Sequence, residues 1–478
     1  MMNCKNILLF MFILTFSFAC DDELELNPVS SITIDNFYNN EKDAESAVNS
    51  IYSMLTNHHL YNQYHETIQS QGTDDSDWGN GRNTSNIGKN EMDKFLFTPS
   101  SDLIYEYWIA SYRVINTANT VVENVAPMEI EDEKKNQYIG EAKFLRGLIY
   151  FNLVRLYGGV PLSTKSTTTL DGLQIPRASK EKVYEFIIDD LKDAKEMLPI
   201  GYSGKDIGRA TKGAAMTLLT NVYLTLGQYQ NGINEAQEVE DLGVYSLMDQ
   251  YAEIFYPENE NGPESIFEIQ YMITPEGGLG SSYAGFMAPP SKGGWGDNPV
   301  TEDLYNAYPE GDLRRDVNIF HDLSASSTIK EPFYVNKYQE RGPEIGDNGD
   351  NYIVTRYADL LLMKAEAINA ISAGDPEAYE AFNKVRRRAY GLPVNLESPF
   401  DLQQGLTQEQ FLDSILVERR RELAFEGHRR FDLLRTNKLI ETMEAHDPDL
   451  VIQEKHLLFP IPQTERFSNP NLSQNTGW

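Results

Sequence analysis

The stretch Arg209–Val239, RATKGAAMTLLTNVYLTLGQYQNGINEAQEV, sets the pattern for much of the chain. Its apolar and small residues recur at i, i+3 and i+4 from Ala215 to Leu226, which predicts a helix with one buried face. Gly227 is placed to end this helix, and a second amphipathic run follows. Two short helices joined by a tight turn predict a tetratricopeptide-type unit of about 34 residues. One such pair cannot bury its own apolar face, so we expect stacked neighbours.

The same spacing recurs elsewhere and alternates with regions of different composition. Residues 57–100 and 243–350 carry short apolar pieces among glycine, proline, serine and asparagine, which predicts long loops and few, short strands. We therefore expect a mostly α fold, with tetratricopeptide-like helix pairs as a scaffold beside a loop-rich part. The helical segments that make up these pairs are predicted around 103–125, 141–198, 209–240 and 352–390.

Composition and charge exclude several classes of protein. Of the 478 residues, 41% are apolar and 24% are charged, which is typical of a globular chain with a large core. The formal net charge is -31 at pH 7. A surface this acidic repels nucleic acid and anionic membrane surfaces, so we expect neither as a partner.

Residues 1–19 have the pattern of a signal peptide. Lys5 precedes an apolar stretch that is too short to span a bilayer. The stretch ends in Ser-Phe-Ala before Cys20, which resembles a bacterial lipoprotein cleavage box, in which the cysteine becomes the lipidated first residue. An ordinary secretory signal with Cys20 incidental is the alternative. Cys20 is the only cysteine after such a cleavage, so no disulfide is expected within the mature chain.

An acidic tether is expected at 20–32, followed by a single domain at 33–478. The run Asp21-Asp22-Glu23 resembles the surface-export signal of lipoproteins in Bacteroidetes-type bacteria. A plain solvated tether is the alternative interpretation of this run.

The densest charge lies at Glu418–Arg435, ERRRELAFEGHRRFDLLR. Glu418, Glu422 and Glu426 recur at i, i+4 with arginines beside them, so they share one helix face. A catalytic interpretation needs an exposed carboxylate pair. We favour a structural network of paired charges, because arginines lie within reach of each acid.

We expect no metal and no cofactor. The His58-His59 pair lacks a third ligand at a suitable spacing. The segment 347–351, DNGDN, has the composition of an oxygen-rich loop but lacks the rest of a calcium-loop pattern. The chain also has no phosphate-binding G-x-x-x-x-G-K-[ST] motif and no G-x-S-x-G motif.

Aromatic residues in the loops are the strongest candidates for a binding site. Sugars present apolar C–H faces and many hydroxyls, so a site for them needs flat rings together with hydrogen-bonding side chains. Burial in a local core is the alternative for each ring, and Trp108, on a helical stripe, is expected in the core. The candidate ligand-binding residues are the rings of Trp78, Trp295 and Tyr283 and the polar side chains of Asp77, Arg82, Asn83 and Asn298.

A series of motifs is spread in order along nearly the whole chain. They are LNP at 26–28, EAKFLRGLIYF at 141–151, YGGVPL at 157–162, RATKGAA at 209–215, YPEGDLRRD at 308–316, the segment 418–435, PIP at 460–462 and NPNLSQN at 469–475. In number and order, together with the lipoprotein box, they resemble the SusD/RagB family of outer-membrane glycan-binding lipoproteins.

The resemblance implies a largely helical fold with four tetratricopeptide-like pairs, and a glycan site in the loops that carry the candidate aromatics. It implies a protein that is not an enzyme and that sits as a lid on a SusC-like TonB-dependent transporter. It also implies an outer-membrane location, lipid-anchored through Cys20 and facing the cell exterior.

Two other functions stay open at this point. Some members of the family are associated with peptide uptake, so a RagB-like carrier of peptide or another nutrient is the main alternative. A surface glycoside hydrolase is the other, since 72 acidic residues offer many possible carboxylate pairs.

Overall fold

The computed structural model describes residues 37–78, 86–167, 173–324, 332–340, 342 and 344–478. The predicted signal peptide, Cys20 and the tether lie outside these ranges, as do Arg82 and Asn83. Within them the chain forms 17 α-helices and four short strands, which confirms the mostly α fold class. None of the helices in the described ranges combines the length and apolar character needed to cross a bilayer.

Eight helices in the first half form a stack. Helix α5 packs against α4 and α6, α6 packs against α7, and α7 packs against α8, so successive helices cover one another's apolar faces. Their bounds are α1 Glu41–Leu55, α2 Tyr64–Ser70, α3 Ile87–Asp93, α4 Asp102–Val125, α5 Asp132–Tyr157, α6 Lys180–Met197, α7 Lys212–Thr225 and α8 Tyr229–Asp241.

Helices α7 and α8 are the pair predicted at 209–240. The Thr211 hydroxyl accepts a hydrogen bond of 3.1 Å from a backbone amide in the first turn and so caps the start of α7. Gly227 follows the end of α7 in the left-handed conformation, with φ of 69°. A Cβ added to Gly232 of α8 would lie 3.5 Å from the carbonyl oxygen of Thr220 in α7. The two helix backbones therefore approach closely at Gly232, where an added Cβ would be in ordinary van der Waals contact with α7.

The second half continues this stack and adds the strands. Helix α12 (Tyr357–Ile371) packs against α8 and against the two helices that follow it, α13 (Pro376–Ala389) and α14 (Gln408–Glu422). The bounds are β1 Ser265–Ile269, α9 Tyr283–Met287, α10 Glu302–Asn306, α11 Arg314–Asn318, β2 Ile319–His321, β3 Phe333–Val335, β4 Tyr352–Arg356, α12 Tyr357–Ile371, α13 Pro376–Ala389, α14 Gln408–Glu422, α15 Arg429–Arg435, α16 Leu439–His446 and α17 Gln463–Ser468.

The strands form two small antiparallel sheets. In one, β1 pairs with β4 and Ser265 lies opposite Arg356. In the other, β2 pairs with β3 and Ile319 lies opposite Val335. The first sheet joins segments that are far apart in the chain, whereas the two strands of the second sheet are close in sequence.

The helix predicted from residue 352 onward is wrong for its first five residues. Tyr352–Arg356 form β4, and α12 begins only at Tyr357. Ile353, Val354 and Thr355 are β-branched and favour an extended backbone. Strand β1 offers this segment hydrogen-bond partners, which a sequence pattern could not show.

The charged stretch 418–435 forms a buried network of ion pairs, as its structural interpretation predicted. Glu422 lies 2.9 Å from Arg314, and Glu426 lies 2.7 Å from Arg356, with all four side chains buried. These two glutamates are therefore not an exposed catalytic pair. Their partners come from α11 and β4, far along the chain, rather than from the arginines beside them.

Trp108 lies in the core, which confirms its predicted position. Its ring meets that of Tyr157 edge-on with centroids 5.0 Å apart. The Tyr157 hydroxyl donates a hydrogen bond of 2.7 Å to the carbonyl oxygen of Ile104. Helices α4 and α5 are thus joined by both ring packing and a buried polar contact.

Candidate functional site

The two loops that carry the candidate tryptophans meet in space. Ser76 and Val300 form an antiparallel bridge. Beside it, the backbone amide of Asp77 donates a hydrogen bond of 3.2 Å to the carbonyl oxygen of Pro299. Residues more than two hundred positions apart therefore form one surface region.

Trp295 is displayed on the outside of this region. Its side chain is 59% exposed, and its ring lies parallel to that of Phe286, with centroids 4.5 Å apart and planes inclined by 14°. One face of the indole is therefore covered, and the other faces solvent. The backbone amides of Gly296 and Asp297 donate to carbonyl oxygens of Ala288 and Phe286, at 2.8 and 2.7 Å. These bonds fold the loop back onto α9 and hold the ring in place.

The glycines around Trp295 permit this tight return. A Cβ on Gly294 would lie only 2.2 Å from the carbonyl oxygen of Ala288. Gly293 and Gly296 adopt φ of 83° and 69°, which side chains rarely tolerate. The glycine-rich sequence thus serves to present a single large ring.

Trp78 has a different environment. It is only 7% exposed, and the Lys89 ammonium lies 5.1 Å from the centre of its ring. Lys89 also forms an ion pair with Asp297, two residues after Trp295. Burial lowers the pKa of Lys89, although Asp297 opposes the shift. The Nε1 of Trp78 has no hydrogen-bond partner among the described residues. Trp78 is therefore buried, and Lys89 connects it to the loop that carries Trp295.

Tyr283 is buried at the base of the same loop. Its hydroxyl donates to the carbonyl oxygen of Asn351 at 2.7 Å, and its ring meets those of Tyr338 and Tyr352 edge-on. Only 1% of the residue is exposed. The alternative of local burial therefore describes Tyr283, whose ring offers no face to a ligand in this arrangement.

Asn298 is likewise buried and holds the two loops together. Its Oδ1 accepts a hydrogen bond of 3.0 Å from Gln71, and its Nδ2 donates one of 2.7 Å to the Ser70 hydroxyl. Its φ of 53° is in the left-handed region, which asparagine tolerates better than most residues. Asn298 fixes the site's framework, and a direct contact with a ligand needs a displacement of these bonds.

Asp77 lies at the edge of the site and is partly open to solvent. Its carboxylate lies 3.2 Å from the Lys94 ammonium, which also contacts Asp93 at 3.0 Å. Burial raises the pKa of the Asp93 carboxyl to about 7, although Lys94 opposes the shift. Asp77 remains a candidate to hydrogen-bond a ligand hydroxyl, and the roles of Arg82 and Asn83 stay predictions outside the described residues.

A cleft lined by both apolar and polar side chains includes Lys292, three residues before Trp295 in the sequence. Its volume is about 260 Å³, and Lys292, Asn336 and Gln339 are among its lining residues. The Lys292 ammonium donates a hydrogen bond of 2.9 Å to Oδ1 of Asn336. Amides and an ammonium are side chains able to donate hydrogen bonds to, or accept them from, sugar hydroxyls.

The sequence did not identify two residues of the candidate site, and each of them contacts one of the tryptophan rings. Phe286 supports the ring of Trp295, and Lys89 covers the ring of Trp78. An aromatic residue within the same glycine-rich loop was the available signal for Phe286. No local signal identified Lys89, because only the fold brings α3 to this loop.

A larger cleft of about 390 Å³ lies between α1 and the loop at 278–280, and it contains none of the candidate residues. In the part of the chain that the structure describes, no three or more His, Cys, Asp or Glu side chains are grouped to hold a metal ion.

These features define a helical scaffold protein with an exposed aromatic surface on its loops. Residues 24–224 match the family described as starch-binding associating with outer membrane, and residues 331–478 match the SusD family. The two matches cover most of the chain. The protein belongs to the SusD family.

Individual relatives agree with this assignment over nearly their whole length. SusD-like protein P25 from Formosa agariphila is 27% identical over 99% of this chain and 98% of its own. SusD-like protein P2 from the same organism is 29% identical over 96% of each chain. The solved structure of a laminarin binding SusD-like protein is 27% identical, with a TM-score of 0.81, over 92% of this chain and 100% of that one.

Proposed function

We propose that this protein is a non-catalytic surface lipoprotein that binds an oligosaccharide and delivers it to a SusC-like TonB-dependent transporter. The observation that carries the proposal is the Trp295 ring, supported on one face by Phe286 and open on the other. It occurs in a chain similar over 92% of its length to a laminarin binding SusD-like protein.

The physical basis of recognition is stacking assisted by hydrogen bonds. A pyranose ring presents C–H groups that pack on an indole face, while its hydroxyls need polar partners. Asp77, on the loop joined to the Trp295 loop at Pro299, and the amides of the cleft that includes Lys292 are the candidates for such partners. A few such contacts give micromolar to millimolar dissociation constants, or about -8 to -4 kcal/mol. Weak binding suits a carrier that must release its ligand.

The burial and ion pairing of Glu422 and Glu426 support a binding role without catalysis. Glycoside hydrolysis needs two carboxyl groups across an open cleft. Glu422 and Glu426 are instead buried and each held by cations. The relatives that match this chain are named as SusD-like proteins, in keeping with a carrier.

The membrane anchor and the transporter belong to the same proposal. Lipidation at Cys20 would hold the protein on the outer membrane without a spanning helix. The family description associates such chains with the outer membrane, which supports this location. Transfer to a transporter barrel explains why a weak, open site is sufficient.

The experiment compares binding and turnover for the protein without residues 1–19. Isothermal titration with laminarin, starch and other soluble oligosaccharides is followed by chromatography of the glycans after incubation. We expect saturable binding to at least one glycan with no product, and loss of that binding in Trp295→Ala. Phe400→Ala is the matched control, because Phe400 is an exposed ring stacked on Tyr390 elsewhere on the surface.

Three outcomes would contradict the proposal. Shortened glycans would identify a hydrolase. Binding of peptides but of no glycan would identify the alternative carrier. Glycan binding unchanged in Trp295→Ala would place the site elsewhere.

A further inference from the structure

Arg155 of α5 is half-buried and lines a small, partly open cavity instead of pairing with a carboxylate. Its guanidinium lies between the rings of Phe151 and Phe431, 3.8 and 3.4 Å from their centres. Its NH2 donates a hydrogen bond of 2.7 Å to Asn152, and its Nε donates one of 3.2 Å to the carbonyl oxygen of Phe151. Among the described residues, no carboxylate lies within 4.0 Å of Arg155.

This state differs from that of comparable arginines in the same protein. Arg146, two turns earlier on α5, makes two hydrogen bonds of 2.7 Å to Asp190. Arg356 contacts Glu426 and Glu264 at 2.7 and 2.8 Å. An enclosed charge without a counter-charge is unfavourable, which is why buried arginines are normally paired. Arg155 therefore lacks a carboxylate partner of the kind that Arg146 and Arg356 have.

The cavity has room for such a partner. Its volume is about 40 Å³, whereas a water molecule needs about 10–15 Å³ measured in this way. Helices α5 and α7 and strand β4 surround it, and Asn152, Thr217 and Asn221 are among its polar lining residues. It is thus large enough for one small ion and too small for a sugar.

The electrostatics of the lining favour an anion. Glu426 is the one carboxylate in the lining, and it is neutralised by Lys337 at 2.6 Å and by Arg356 at 2.7 Å. His428 also lines the cavity, and its buried Nε2 has no hydrogen-bond partner among the described residues. As the Nε2–H tautomer, this ring donates a hydrogen bond to an anion.

We propose that this cavity binds one small monovalent anion, of the size of chloride, against the guanidinium of Arg155. The anion supplies the missing counter-charge and accepts hydrogen bonds from Arg155 and His428. Water satisfies hydrogen bonds there but leaves the charge uncompensated. The site is separate from the proposed glycan surface, and the proposal does not depend on that function.

The direct test is crystallography of the wild-type protein with sodium bromide in place of chloride, using the anomalous signal of bromine. We expect a peak within hydrogen-bond distance of Arg155, and its loss in Arg155→Met. Density for water alone in the wild-type cavity would overturn the proposal.

A second test is made in solution at constant ionic strength. Chloride is exchanged stepwise for gluconate, which is too large for a cavity of about 40 Å³. A ligand that binds only the folded state raises the melting temperature as its concentration increases. We expect the wild type to melt at higher temperature in chloride, and a wild type insensitive to this exchange would contradict the site even if Arg155→Met fails to fold.

Arg430→Met is the matched control for the solution test. Arg430 is fully buried and likewise has no carboxylate within 4.0 Å among the described residues, but it packs on Phe95 and Phe459 rather than lining the cavity. We expect Arg430→Met to keep the chloride dependence and Arg155→Met to lose it. Equal loss in both variants would show a general salt effect and would overturn the assignment.

Discussion

The indole ring of Trp295 lies parallel to the phenyl ring of Phe286, with centroids 4.5 Å apart. Phe286 is the next-to-last residue of α9. Trp295 lies in the glycine-rich turn that folds back onto this helix. The pair makes a flat surface that is rigid on its inner side and open on its outer side. Such support limits the ordering cost of ligand binding, because the ring is held before the ligand arrives.

Removing this support should weaken glycan binding without removing the stacking ring itself. In Phe286→Ala, the Trp295 side chain gains rotational freedom, and we expect the dissociation constant to rise about tenfold, or about 1.4 kcal/mol. Titration with the glycan bound by the wild type measures the change. Phe286→Tyr keeps a ring in place and serves as the control. Unchanged affinity in Phe286→Ala would show that the turn alone positions Trp295.

Trp78→Ala should act mainly on stability. Because the side chain is 7% exposed, its removal leaves a cavity, and we expect a loss of about 3–5 kcal/mol in the free energy of unfolding. Denaturant unfolding measures this loss, with Trp78→Phe as the milder comparison. The alternative outcome is lost glycan binding with a nearly unchanged melting temperature. That result would mean that a ligand reaches the Trp78 ring after all.

Ala215→Leu tests the packing of the predicted helix pair. Ala215 is fully buried on α7, and the enclosed interior has no space for three further carbon atoms. We expect a loss of about 1–3 kcal/mol in the free energy of unfolding. Denaturant unfolding is measured for this variant and for Ala215→Gly, which removes a side chain instead of enlarging it. The comparison separates overpacking from a general intolerance of substitution at this position. A fully stable leucine variant would contradict close packing at α7.

Glu66→Gln should change how stability depends on pH. Burial raises the pKa of Glu66 to about 8 from 4.5, although Tyr352 donates a hydrogen bond of 3.1 Å to it. The folded form therefore keeps its proton while the unfolded form loses it. The stability contributed by the protonated group is fully present below pH 4.5 and is lost as pH rises toward 8.

The glutamine variant stays neutral at every pH and keeps an acceptor for Tyr352. We expect it to match the wild type near pH 4 and to be the more stable protein near pH 8. Unfolding curves at several pH values measure the difference between the two. Parallel pH profiles for the two proteins would show that Glu66 titrates normally in the folded state.

Cys20→Ala tests the anchor. The box that precedes Cys20 predicts lipidation, and no other cysteine remains in the chain after cleavage. We expect the variant to leave the membrane fraction while retaining the glycan affinity of the wild type. Membrane fractionation and immunoblotting measure the first property, and titration measures the second. A variant that stays in the membrane would exclude Cys20 as the anchor.

Within the candidate site, the sequence singled out two loops that meet in the structure, but it did not distinguish the environments of their side chains. Trp78 and Trp295 stand in similar Gly-, Asn- and Asp-rich surroundings, yet one ring is buried and the other exposed. The difference arises from α3, which brings Lys89 over Trp78, and from α9, which places Phe286 under Trp295. Both neighbours lie close in sequence, but whether they cover a ring depends on how the loops fold, and composition carries no record of that placement.

The sequence by itself determined the mostly α fold, the helix pair at 209–240, the end of α7 at Gly227 and the core position of Trp108. These are local properties, because helical periodicity and glycine conformation act over a few residues. Tertiary structure decided the partners of the charges and the strand β4. Glu422 meets Arg314 and Glu426 meets Arg356, which lie 108 and 70 residues away along the chain. Ion pairing acts through space, and only the folded chain brings these groups into contact.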